Sequence, residues 1–161
     1  MKLRGYKRIF GSGPSGVLVS LLLLGAAIAV KEKTALPGLG IPSTVRLAVL
    51  LVAIVLAIGV FIWSMESLPV DTRGRTVCDA GPYHYVRHPL YAAFVTLFCP
   101  ALAFYLDHVI LFGWAIALHA LWHLIVRYEE GLMSNEFGIP YDNYAARTGR
   151  FIPRPGSFRR R

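Results

Sequence analysis

Apolar residues fall along this chain in four long stretches, residues 16–30, 45–63, 90–106 and 109–126, parted by polar segments. A helix rises 1.5 Å per residue and the hydrocarbon core of a bilayer is roughly 30 Å thick, so the second to fourth are about long enough to cross it. The first needs residues 11–15 to complete a span. Lys2, Arg4, Lys7 and Arg8 precede it as they would precede a signal peptide. No clear small-residue cleavage site follows and three more spans do, so this stretch is read as a helix. The pattern predicts an all-α fold, a polytopic membrane helical bundle of about four transmembrane helices (about 11–30, 45–63, 90–106 and 109–126). The whole chain, 1–161, reads as a single membrane domain with a polar C-terminal segment at 127–161.

The connections differ in kind. "KEKTALPGLGIPST", residues 31–44, holds two prolines and two glycines and reads as a turn-rich loop. Only Asp107 and His108 separate the third and fourth stretches, which forces a tight hairpin. Pro100 is expected to kink the third helix, a break that neighbouring helices tolerate in a membrane.

Composition agrees with this reading: 55% of the residues are hydrophobic, 16% are charged, and mean hydropathy is +0.52. The net charge of +8 would suggest nucleic acid in a soluble protein. Here the basic residues sit beside apolar segments, and no nucleic-acid-binding signature appears, so topology and anionic headgroups account for them. With four spans, fourteen of the seventeen Lys and Arg fall on one side of the membrane, and only Lys31, Lys33 and Arg46 on the other. The positive-inside rule places both termini and the 64–89 loop in the cytoplasm. Cys78 and Cys99 make neither a disulfide framework nor a metal motif and are expected to be reduced.

Chemistry gathers on that cytoplasmic side. "GPYHYVRHPLYAAF", residues 81–94, packs two Tyr, two His, an Arg and two Pro into its first nine residues, against the third apolar stretch. "RYEEGLMSNEFGIPYDNYAARTGRFIP", residues 127–153, leaves the fourth. The hairpin brings the two bases together, so Arg87, His88 and Tyr91 can face Arg127, Glu129 and Glu130 across a narrow gap. Ionisable groups at membrane depth are costly and usually pair or line a cavity. Interface anchoring accounts for the Tyr and Arg taken singly, but not for His-Pro after Arg or for two adjacent Glu. On the fourth helix His119, His123, Arg127 and Glu130 share one face by spacing. The i, i+4 histidines suit either interhelical hydrogen bonds or, less simply, a haem or metal. "GSGPSG" at residues 11–16 fits a dinucleotide-binding pattern literally but has no strand before it.

Taken together, the two blocks resemble the isoprenylcysteine carboxyl methyltransferase and phospholipid methyltransferase superfamily of integral membrane enzymes. The resemblance rests on Gly81, Pro82, Tyr83, Arg87, His88, Pro89 and Tyr91, then Glu129, Glu130, Leu132, Phe137, Gly138, Tyr141, Tyr144, Arg150 and Pro153. It implies S-adenosylmethionine as methyl donor, a lipophilic acceptor (a prenylcysteine-type carboxylate, a phospholipid amine or another small hydrophobic molecule) and no metal. It places Tyr83, His88, Glu129 and Glu130 at the cofactor, in a cytoplasmic pocket formed by the 64–89 loop and the C-terminal segment; Tyr83, Tyr91 or Tyr144 can flank the adenine or face the sulfonium. Arg87, Glu130 and Arg127 are the catalytic candidates: Glu130 or His88 to assist an amine acceptor, Arg127 or Arg150 to orient an anionic substrate group. Two positions depart from the pattern: Ala93 stands where many members have Gly, and Pro140 where an acidic residue is common. Outside this class, a haem- or metal-binding protein using His119 and His123, or a non-catalytic membrane protein, fits the same hydrophobic pattern.

Overall fold

A computed structural model describes residues 13–68 and 75–155. Lys2, Arg4, Lys7, Arg8, Arg73, Arg159, Arg160 and Arg161, and the start of the GSGPSG segment, lie outside them. The described chain is helical: α1 Gly13–Lys31, α2 Ser43–Ser67, a 3-10 turn Gly81–His84, α3 Pro89–Tyr105, α4 Val109–Phe137 and α5 Ile139–Arg147. Three of these, α1, α2 and α4, are long and apolar enough to cross a membrane, and α3 is a shorter apolar helix beside them.

Burial shows how the bundle is organised. Leu22 of α1 is 66% exposed and Val55 of α2 is 68% exposed, although both helices are almost wholly apolar. Outward apolar faces of that extent belong against lipid. The core lies between α3 and α4, where Val95, Cys99, Ala103, Leu111, Leu118, Trp122 and Val126 are buried. From either side α1 packs along α4 and α2 along α3. Cys78 and Cys99 are free thiols.

Within α3 the expected disturbance takes a definite form. Residues Ala93–Phe98 are π-helical, and α-helix resumes at Cys99. Pro100 has no N–H to donate and its ring crowds the carbonyl one turn back, so a widened turn just upstream relieves it.

α4 departs from the expected end of the fourth span. Its apolar stretch stops at Val126, yet the helix runs on to Phe137 and ends at Gly138, whose φ of 59° suits glycine. Twenty-nine residues make about 43 Å of helix, longer than a hydrocarbon core. Hydropathy marks where lipid ends, whereas the helix-favouring Glu, Leu and Met beyond it carry the rod into water. Arg127, Glu129 and Glu130 therefore stand on a rigid helix rather than in a tail.

The tight hairpin at the other end turns at Asp107, with φ 57°. Asp107 accepts a hydrogen bond from Leu39 N at 2.8 Å and pairs with Arg46 at 3.3 Å, while Lys31 Nζ donates to Leu106 O. Arg46 also donates to the carbonyls of Ile41 and Tyr105. The 32–42 loop is thus clipped over the hairpin.

Candidate functional site

At the base of α3 the backbone is set by prolines. Pro82 opens the 3-10 turn and Pro89 opens α3, and His88 before it has φ −127° and ψ 66°, outside the helical region as a pre-proline residue must be. Gly81 has φ 55°, and a Cβ there would run into the Ser67 hydroxyl. The chain can start this motif against the end of α2 only with glycine.

Residues 86–88 then pair with the stretch after α5. Val86 and Gly149 form an isolated parallel bridge, Arg87 N donates to Gly149 O at 2.7 Å, and His88 N donates to Arg150 O at 3.1 Å. A Cβ on Gly149 would collide with the carbonyl of Ile152, so the strap of residues 148–153 needs glycine to lie this close. The Arg87 side chain, 7% exposed, completes the join. Its Nε and NH2 both reach Glu130 Oε1 at 2.8 Å, and its NH1 donates to the carbonyls of Ala145, at 2.6 Å, and Thr148.

Glu130 is the hub. Arg150 takes its other oxygen, with Nε at 2.8 Å and NH2 at 2.6 Å from Oε2, and His88 Nε2 lies 3.5 Å from Oε1. Burial by itself pushes this carboxyl up, but the opposing His88, Arg150 and Arg87 outweigh it and hold Glu130 well below the usual carboxylate range. Glu130 lies beyond the apolar stretch of α4, and it is ionised throughout neutral pH.

Beside this hub His88, Tyr91 and Glu129 form a second group. The His88 and Tyr91 rings stack in parallel, 5.6 Å between centroids and 5° between planes. Tyr91 donates to Glu129 Oε1 at 3.2 Å, and His88 Nδ1 stands 3.9 Å from Glu129 Oε2. His88 Nε2 is buried without hydrogen-bond geometry to any described partner. Tyr91 leans on Trp122 at 4.7 Å, and the Trp122 indole N–H donates to Ser20 Oγ on α1 at 3.0 Å. A Cβ on Gly16 would come within 2.7 Å of the Trp122 ring, so α1 approaches α4 through a missing side chain.

The remaining predicted residues are dispersed. Tyr144 donates its hydroxyl to Tyr83 O at 2.7 Å, so both are built into the join between α5 and the 3-10 turn. Burial raises the Tyr144 and Tyr141 phenols well above their ordinary value, which keeps both neutral. Arg127 is exposed and has no hydrogen bond or ion pair among the described residues; it turns away from Glu130 although spacing puts both near one face. His119 Nε2 is 3.4 Å from Thr96 Oγ1 on α3, and its ring is 5.1 Å from that of His123. Among the described residues no group of three or more His, Cys, Asp or Glu is placed to hold a metal ion.

Phe151 escaped the sequence reading. It is 3% exposed, and its ring touches His88, His119 and His123 at 6.2, 5.5 and 4.7 Å. Trp122 was missed likewise. The readable signal was Gly16 and Ser20, one helical turn apart and the buried face of α1.

This arrangement defines an integral membrane helical protein whose buried ionic cluster joins two polar motifs just past the apolar stretches. The chain belongs to the phospholipid methyltransferase family, whose model matches residues 38–139, more than half of the chain. It is a membrane methyltransferase. The matched region runs from the loop before α2 through α4, so it includes Arg87, His88, Tyr91, Glu129 and Glu130 but stops short of Tyr141, Tyr144 and the strap. No curated protein matches the chain.

Proposed function

We propose that this membrane methyltransferase uses S-adenosylmethionine and methylates a lipophilic acceptor, with His88, Tyr91 and Glu129 forming the heart of the cofactor site. The observation that carries this reading is the meeting of those three side chains, drawn from both motifs: the His88 and Tyr91 rings stack, and the Tyr91 hydroxyl donates to Glu129. The donor set fits the cofactor. Its ammonium and ribose hydroxyls suit Glu129, its carboxylate suits an imidazole N–H of His88, and its adenine and sulfonium suit aromatic faces. When bound, it supplies a methyl carbon activated by positively charged sulfur.

The chain's own residues then bind and orient. Glu129, steadied by the Tyr91 hydroxyl, accepts hydrogen bonds from a cationic or hydroxyl group. His88 meets a polar group through Nε2. Arg87, Glu130 and Arg150 are positioning residues rather than chemical ones, since each guanidinium is spent on the carboxylate and a carboxylate held ionised by two guanidinium groups is a weak base. Tyr144 acts the same way, through its hydroxyl bond to the Tyr83 carbonyl. Exposed Arg127 is suited to an anionic headgroup at the membrane surface. Because displacement at an activated methyl needs approach and exclusion of water, proximity carries the rate.

The charge asymmetry supports a cytoplasmic site and cytoplasmic termini, and one bundle core supports a single domain. Attack by an impermeant maleimide on a cysteine placed at Pro155, in inside-out but not right-side-out vesicles, checks the orientation. Titration calorimetry of the detergent-solubilised protein with S-adenosylmethionine tests the main reading. The wild type binds, and His88→Ala and Glu129→Gln each bind at least tenfold more weakly. A folded wild type that takes up no heat sinks the reading. Labelled methyl transfer into a lipid extract then identifies the acceptor.

A further inference from the structure

An open groove of about 550 Å³ runs along the outer side of α3 and α4, apart from the ionic cluster. Val95 and Pro100 wall it from α3, and Phe112, Ile116 and Ala120 from α4. Val95 belongs to the π-helical turn, a type of irregularity frequent at functional sites. From Phe112 to His123 the α4 wall is about 16 Å long at 1.5 Å per residue.

Two features set this strip apart from the apolar faces of α1 and α2. Its volume lies in the range of about 300–1,000 Å³ typical of small-molecule sites. Its walls are apolar until the end nearest the ionic cluster, where His119 and His123 line it. His119 is tied to Thr96, whereas His123 has ring contacts with His119 and Phe151 and no hydrogen bond among the described residues. Phe151 also meets His88, with ring centroids 6.2 Å apart. The imidazole end of the groove and the imidazole of the proposed cofactor site therefore border the same aromatic ring.

We infer that this groove holds the methyl acceptor: a hydrocarbon chain lies between α3 and α4, and its polar head hydrogen-bonds His123 and His119 against Phe151. The occupant is an amphiphile presenting one chain and a small hydrogen-bonding head. A second chain, where there is one, stays in the bilayer. The mouth is open to lipid because Ile116 is 73% exposed and Ala120 is exposed beside it. This assignment rests on the methyltransferase reading for the word acceptor but not for the site itself.

Photolabelling in nanodiscs tests it, using a long-chain primary amine with a mid-chain diazirine, and the matching alkane as the headless control. The amine labels residues 112–123 of α4 in preference to the exposed faces of α1 and α2, and unlabelled amine competes. Ala120→Trp fills the groove and cuts that labelling at least tenfold, with S-adenosylmethionine binding unchanged in calorimetry. Ile116→Trp serves the same purpose if Ala120→Trp does not fold. His123→Leu weakens labelling by the amine but not by the alkane. Equal labelling by amine and alkane, without competition, identifies ordinary surrounding lipid and overturns the inference, as does undiminished labelling of the Trp variants. Absence of cofactor binding by a wild type that still shows the labelling pattern counts against the methyltransferase reading alone.

Discussion

Arg87 and Glu130, forty-three residues apart, meet through two contacts of 2.8 Å on a single carboxylate oxygen, with only 7% and 12% of their side chains exposed. Arg150 holds the opposite oxygen, so one glutamate on α4 ties the start of α3 to the strap after α5. Substitution of either partner leaves the other charged and buried. Arg87→Leu is expected to cost about 3–5 kcal/mol. The Arg87→Leu/Glu130→Leu double variant recovers part of that loss. A thermal-melting double-mutant cycle reads both outcomes, and additive losses would show that the pair is not coupled.

The pair also sets a pH dependence. Glu130 is held below the ordinary carboxylate range, so its contribution is present above the unfolded-state pKa of about 4.3 and is lost as pH falls toward the folded-state value. Between pH 7 and 5 the wild type exceeds Glu130→Gln in melting temperature by a constant margin. Below about pH 4 the margin shrinks. A margin that stayed constant to pH 2.5 would mean the carboxylate is not stabilised by folding.

Gly149 is the tightest point of the strap. Gly149→Ala forces the Ile152 carbonyl away and strains the Arg87 and His88 backbone bonds to residues 149 and 150. Methyl transfer is expected to fall at least tenfold, while helix content by circular dichroism stays unchanged because the three long apolar helices and the shorter α3 do not depend on the strap. Full activity in this variant would show that the strap plays no part in the site.

The contact of α1 with the site runs through Trp122. Ser20→Ala strips the buried indole N–H of its acceptor, a loss of about 1–3 kcal/mol. Gly16→Val drives a side chain into the Trp122 ring, which must tilt toward Tyr91. Both variants lower the melting temperature. Only Gly16→Val also weakens S-adenosylmethionine binding, because only it displaces the ring beneath Tyr91. Equal affinity in the two variants would exclude that route.

What the amino-acid order determined by itself was the membrane class, the succession of apolar stretches, the two-residue hairpin and the pairing of two polar motifs. These follow from local facts: runs of apolar residues have a length, and a hairpin of two residues brings its neighbours' bases together. The pairings inside the cluster were decided only in three dimensions. Arg87 and Glu130 read as candidate chemical groups, and only the fold shows that they pair with each other, because which atoms meet depends on packing. Tyr144 carries a motif residue's identity but spends its hydroxyl on Tyr83 O. Arg127 lies three residues from Glu130, yet it points outward where Glu130 points in. Phe151, Gly149 and Trp122 gave no local sign of importance, because their roles come from long-range neighbours: Phe151 touches α4 rings, Gly149 meets residues 86–88, and Trp122 fits a gap in a helix about a hundred residues earlier. Helical period and hydropathy constrain a residue's face and depth, and only the tertiary fold selects what stands opposite.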